Sequence, residues 1–446
     1  MSFQRINKDF GKLLTLSELM KEKRILVAIA VVFVVEAVLS LWTGQPYDMK
    51  IWFNTGEWMT QGINIYAPPN HLGYPPLWAF WCAIAYNAYG LFGSNLELWR
   101  FLIKLPLILA HITLAVVVGS YVKSRFGLTT ARRVFWIILA WSFFVYVGAI
   151  WGQINALSAL LTFLAFYAVT AKKNSVGAVI LGLAIALKTY PIVALPAFFA
   201  FVLKNRGKKE AGKFTLITCA APLLFTLLVF AIFQWDITYF LKTIFYSTPV
   251  FESNPILYNI GAMNFWSFIA LQGIDIVPLW QLRLLWIPLL AVCAVFWLRK
   301  PKLDEKDFVL SVISFYILFM FSYGWISEQT FLDPLPFIFL FILAFEPKRV
   351  YLYAVGVVQV FIYIFSVANQ SLFIFTPLLE RFSPPLLTAL TDFHLENGPI
   401  VHAIRGTMGL VISVFLLVLL GLLLKPTILD KAKERLRSIK FGRSKQ

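Results

Sequence analysis

The sequence predicts an all-α, polytopic transmembrane helical bundle with interfacial helices on its outer face. Three observations predict it. Of 446 residues, 60% are hydrophobic and the mean hydropathy is +0.77, more apolar surface than a water-soluble domain can enclose. Apolar windows long enough to cross roughly 30 Å of hydrocarbon recur along the chain, at Ile25–Leu41, Phe214–Phe233, Leu279–Trp297, Phe308–Met320, Val350–Ser366 and Met408–Leu424. The basic residues lie in short segments between hydrophobic ones: Arg5 to Arg24, Lys123 to Arg133, Lys172-Lys173, Lys204 to Lys213, Arg299 to Lys306, Lys348-Arg349 and Lys425 to Lys445. The acidic residues Asp48, Glu57, Asp236, Glu252, Asp275, Glu328, Asp392 and Glu396 fall in the other loops. The net charge of +17 is therefore positive-inside topology, not a nucleic-acid footprint. It puts both termini in the cytosol of a multi-pass protein, in the cell membrane or, in a eukaryote, the ER membrane.

Taken in order, residues 1–24 read as a cytosolic basic N-terminus. No small-residue cleavage site follows it, so 25–41 is a retained first helix of a membrane domain spanning 25–424. The outer loop of about 44–73 holds a helix over Lys50–Gln61. It sets Ile51, Trp52, Thr55, Trp58 and Met59 on one face and Asn54, Glu57 and Gln61 opposite, the pattern of an interfacial helix. Tyr74–Tyr121 must cross once in net terms, yet it reads as two hydrophobic segments. Val134–Ile150 and Ala156–Val169 flank an outer turn at Trp151-Gly152-Gln153-Ile154-Asn155.

Val176–Leu203 has basic loops on both sides and breaks at Lys188-Thr189-Tyr190-Pro191. Arms of about twelve residues are too short to cross, so the segment enters and returns as two half-helices. Pro191 removes a backbone donor at the break, which is tolerated where a cavity is lined. Further outer loops occupy about 234–276 and 367–405, and a basic tail at 425–446 reads as a membrane-surface helix. The usual span length gives roughly ten to twelve membrane helices. Cys82, Cys219 and Cys293 lie in hydrophobic sequence and read as buried apolar residues. The four histidines show no metal-ligand spacing, so no metal or cofactor is expected.

Asp48 has two readings: a cap for the helix starting near Met49, or a general base at the membrane surface. Lys188, alone among apolar residues, either snorkels or lines a cavity where it meets an anion such as phosphate. Gln153 and Asn155 mark a plain helix-hairpin turn or hydrogen-bond a sugar or phosphate. Glu328 and Asp333 are by default solvated loop carboxylates. Glu36 and His111 read as structural partners between helices.

Asp48, Gly62-Ile63-Asn64-Ile65-Tyr66 and Tyr74-Pro75-Pro76-Leu77 together resemble the opening of GT-C superfamily mannosyltransferases. Gly152-Gln153, Asn155 and the run Gly182-Leu183-Ala184-Ile185-Ala186-Leu187-Lys188-Thr189-Tyr190-Pro191 continue the likeness. They are similar to the G-Q and K-x-Y-P segments of polyprenol-phosphate-mannose-dependent mannosyltransferases. More distantly they resemble the first mannosyltransferase of GPI-anchor synthesis. The likeness covers about 25–205. Position 50 is Lys50, so the D-x-D of the GPI enzyme is absent, which argues against that acceptor and against a metal requirement.

The resemblance implies a GT-C-like fold and transfer of a hexose, mannose, from a polyprenyl- or dolichyl-phosphate donor to a glycolipid or glycan on the outer or lumenal face. It puts the catalytic aspartate on Asp48. Lys188, Tyr190, Gln153 and Asn155 would bind the donor phosphate, and Tyr74 is a further substrate-binding candidate; Glu328 and Gln329 join it from their position in an outer turn, not from the resemblance. The alternative is a transporter or flippase of a lipid-linked or anionic solute, which also uses broken helices and buried charge. Against it, the break at Lys188 has no counterpart in the second half.

Overall fold

The computed structural model describes residues 21–70, 72–245, 261–274, 284–324, 326–369 and 371–443. Among them every regular element is helical. The first leg, α1 (Lys23–Trp42), is apolar all round, and 17% of its best window is buried, so it lies against lipid. Helix α2 (Pro46–Thr60) follows and packs along α3 (Leu77–Leu91). At fifteen residues each, neither helix is among those long and apolar enough to cross alone. Helix α4 (Leu96–Phe126) is long and apolar enough to cross alone, in keeping with one net crossing over Tyr74–Tyr121.

Helix α5 (Leu128–Ala140) bends by 42° into Ser142–Trp151, whose last turn is a π-helix ending at Gly152 with φ +94°. Then come α6 (Asn155–Thr170) and α7 (Asn174–Leu187). The chain breaks at Lys188, makes a 3₁₀ turn over Tyr190–Ala194 and returns as α8 (Leu195–Arg206). The two expected half-helices thus meet at Lys188.

The second half holds α9 (Lys208–Phe233), α10 (Ile237–Phe245), α11 (Phe265–Leu271), α12 (Trp286–Leu298) and α13 (Glu305–Ser322). A 3₁₀ turn, Glu328–Leu332, leads into α14 (Leu335–Leu340) and its π-helical continuation Phe341–Phe345. This span is the central strut, with 89% of its window buried. After α15 (Arg349–Ala368) the chain runs through Ser371–Phe375, α16 (Thr376–Phe382) and α17 (Pro384–Glu396) into α18 (Gly398–Arg443). Helix α18 continues unbroken past Lys425, so the tail extends the last leg and does not form a separate surface helix. Of the outer loop expected over about 234–276, residues 246–260, 275 and 276 lie outside the described residues.

One end of the bundle is knitted by polar contacts: Arg132 to Glu22, Arg125 and Tyr121 to Glu305, Asn205 to the Leu303 carbonyl, and Lys306 to Glu346. From this basic end, α1, α4, α5, α6, α9, α12, α13, α14, α15 and α18 alternate in direction, while α7 and α8 enter and return. Six helices among the described residues are long and apolar enough to cross alone, seven if the bent α5 is one span. The expected ten to twelve are reached only by counting the shorter legs as well. Glu36 and His111 pair between α1 and α4 at 2.5 Å, with the other ring nitrogen on the Ile138 carbonyl at 3.0 Å, the structural role read for them. Cys82 and Cys293 are buried, but Cys219 is exposed on α9. A helix with 22% of its window buried turns most of its side chains outward.

Candidate active site

The opposite end gathers most of the residues singled out in the sequence. Asp48 lies in the first turn of α2, but it does not cap that helix. Gln45 is the N-cap, and its side chain accepts from the Asp48 backbone N–H at 2.7 Å. Pro46 at the first helical position fixes the start one turn earlier than the amphipathic pattern suggested. The capping reading is therefore overturned, and the Asp48 carboxylate faces other partners.

Trp151 Nε1 and Gln153 Nε2 both donate to Asp48 Oδ2, at 2.6 and 2.7 Å. The bent end of α5 supplies both. Its π turn closes with the Gly152 and Gln153 N–H groups on the Val147 carbonyl, and the left-handed Gly152 reverses the chain, so the turn of the hairpin and the donors to Asp48 are the same residues. Two further bonds hold the turn against α2: Gln45 N–H to the Trp151 carbonyl at 3.1 Å, and Trp52 Nε1 to the Gly152 carbonyl at 3.2 Å.

Tyr74 joins this cluster to the broken helix. Its hydroxyl donates to Gln153 Oε1 at 3.2 Å, its ring lies 5.5 Å from that of Trp52, and Lys188 Nζ stands 5.2 Å above its centroid. The Tyr190 ring covers the same ammonium at 5.0 Å. Lys188 has no exposed surface, so the snorkelling reading is overturned. Its Nζ donates to Asn155 Oδ1 at 2.8 Å.

Asn155 Nδ2 and Ser158 Oγ, one turn apart on α6, each donate to Asp333 at 2.7 Å. Lys188 thus lies within electrostatic reach of two carboxylates, Asp333 and Asp48. Burial pushes the Asp48 carboxyl above its ordinary range. The bonds from Trp151 and Gln153 and the charge of Lys188 favour the anion and offset part of that rise.

Asp48, Tyr74, Gln153, Asn155, Lys188 and Tyr190 are therefore one constellation. Glu328 and Gln329 belong to a different cluster. Both are buried, as is Asp333, so neither Glu328 nor Asp333 is the solvated loop carboxylate expected. Glu328 accepts from Ser327 and Ser366 at 3.0 Å each, and Ser327 also contacts Gln329. Sequence reasoning gave no functional role to Asp333, Ser158 or Lys104. A lone lysine in Arg100-Phe101-Leu102-Ile103-Lys104-Leu105-Pro106 was a usable signal; an aspartate before a proline that opens an apolar run was not distinctive.

The arrangement offers a proton acceptor at the bundle end and a buried cation beside it, joined through an aromatic ring. Against known families, the model of Glycosyltransferase family 87 matches residues 64–322. The match includes Tyr74, Gln153, Asn155, Lys188 and Tyr190 and leaves Asp48, Glu328, Gln329 and Asp333 outside. No curated protein matches the chain.

Proposed function

This chain belongs to glycosyltransferase family 87 and is a multi-pass membrane glycosyltransferase; from that premise we propose that it transfers mannose from a polyprenyl-phosphate donor to a lipid-linked or glycan acceptor, on the membrane face bearing Asp48, with inversion. The observation that carries this reading is the carboxylate of Asp48. Among the described residues, Trp151 and Gln153 both donate to its Oδ2, and Oδ1 is the atom that would receive an incoming hydroxyl.

In the reaction, Asp48 takes the proton of the acceptor hydroxyl as its oxygen bonds to the anomeric carbon. The bond from that carbon to the phosphate oxygen breaks, and the lipid phosphate leaves with the electron pair. A phosphate is a good leaving group, so no second carboxylic acid is required, unlike the pair that glycosidases use. Lys188 stabilises the charge gathering on that phosphate. Because the rings of Tyr74 and Tyr190 stand over its ammonium, one of them moves aside as the donor enters. Gln153, Asn155 and Tyr190 orient the donor, and Asp333 holds Asn155 in place. Glu328 and Gln329 are further substrate-binding candidates, in the cluster built on Ser327 and Ser366.

The test is a purified-protein assay with labelled polyprenyl-phosphate sugars and nucleotide sugars against membrane lipid extract. Label should pass from polyprenyl-phosphate mannose into a new product. Transfer from a nucleotide sugar instead would overturn the donor assignment. Movement of the lipid-linked sugar across vesicles with no transfer would return the transporter reading.

A further inference from the structure

Among the described residues three lysines are buried: Lys188, used in the reaction above, Lys300, which pairs with Asp307, and Lys104, which faces no carboxylate partner. It sits on α4 with no exposed surface, and its Nζ faces five oxygens. Thr43 presents its carbonyl at 2.7 Å and its hydroxyl at 3.2 Å, Ser40 its carbonyl at 3.3 Å, and Ala149 and Ile150 theirs at 3.0 and 3.3 Å. All are acceptors, and the four carbonyls belong to two chain ends: the last turn of α1 with its C-cap, and the π turn that finishes the bent α5. Helix C-termini carry roughly half a negative charge each, so one ammonium neutralises two of them.

Those two ends run straight into the site. Thr43 leads through Gly44 and the cap Gln45 to Asp48; Ile150 precedes Trp151, Gly152 and Gln153. A Cβ on Gly44 would stand 3.7 Å from Lys104 Nζ, and one on Gly152 would stand 3.2 Å from Lys104 Cε. Both glycines have positive φ, +148° and +94°, which lets the turns close over the lysine. A buried lysine is costly in a membrane core, and a methionine would fill the same volume. Packing alone therefore does not call for an ammonium here.

We propose that Lys104 is a positioning residue for transfer: it clips the end of α1 to the end of the bent α5 and so holds Asp48 against Trp151 and Gln153. The proposal rests on the reading of Asp48 as the base.

The experiment uses the full chain in detergent or nanodiscs, with labelled polyprenyl-phosphate mannose and membrane lipid extract. Four proteins carry Lys104→Met, Lys104→Gln, Gln153→Leu, and Lys104→Met with Gln153→Leu. Lys104→Met should speed backbone hydrogen exchange locally, at 43–48 and 149–153. It should lower kcat by about 100-fold, the scale of a 1 Å misplacement, with little change in KM. Gln153→Leu should cost much less in the Lys104→Met background than alone, because both substitutions loosen the same carboxylate. Lys104→Gln keeps N–H donors and should retain more turnover. If Lys104→Met does not fold, Lys104→Gln and its double variant with Gln153→Leu carry the same two readouts.

Unchanged exchange at both turns, or effects of the two substitutions that simply multiply, would overturn the proposal. Asp48→Asn measured alongside separates the two ideas. Full activity there removes the base, whereas an inactive Asp48→Asn with unaltered Lys104 variants removes only the clip.

Discussion

Trp151 and Gln153 compete with burial for control of Asp48. Burial raises its pKa, and the two N–H donors and Lys188 favour the anion. A base works as the anion, so turnover should rise with pH through this raised pKa and be lost below it. The stability sign is opposite: a carboxyl whose folded pKa lies above its unfolded value adds stability at pH below the unfolded value, and that contribution fades as pH rises through the folded one. Gln153→Leu removes a donor to the anion, so the acid limb of kcat should move to higher pH; a limb that stays or moves lower would show that Gln153 does not act on Asp48. The capping alternative for Asp48 could not be dismissed from sequence, because Gln45 lies just outside the usual set of capping residues while an aspartate near a helix start is inside it.

Among elements, the broken α7–α8 pair was legible, because Lys188 and Pro191 interrupt an apolar run too long for one half-helix and too short for two crossings. The π turn of α5 was not, since Tyr146–Trp151 is as apolar as an ordinary last turn and only tertiary contacts separate the two. The same turn makes Gly152 sensitive. A Cβ there must adopt φ +94° and press on Met49 and Lys104. Gly152→Ala should cost on the order of 1–3 kcal/mol, read as a lower unfolding temperature together with lost activity. A neutral effect would mean that the turn can relax without disturbing Asp48.

For the molecule as a whole, the fold class followed from composition and charge because apolar windows and basic loops are long-range signals. The second half of the site was hidden because Asp333 comes to Asn155 and Ser158 only through packing of the central strut, Glu328–Phe345, against α6. The legs that alternate from the basic end return the chain to that end. Reporters fused before residue 23 and after residue 443 should therefore both report the same compartment, which the positive-inside pattern predicts to be the cytosol; reporters in opposite compartments would contradict the arrangement.

Sugar transfer by this bundle turns on Asp48 as its base. The direct measurement is single-turnover transfer from labelled polyprenyl-phosphate mannose by Asp48→Asn, with folding checked by monodispersity and thermal unfolding. With Asp48 as the base, the variant should be a folded protein that still binds donor but is slower by about 10²–10⁴-fold, the usual weight of general base catalysis. A folded Asp48→Asn protein that transfers at the wild-type rate would contradict it.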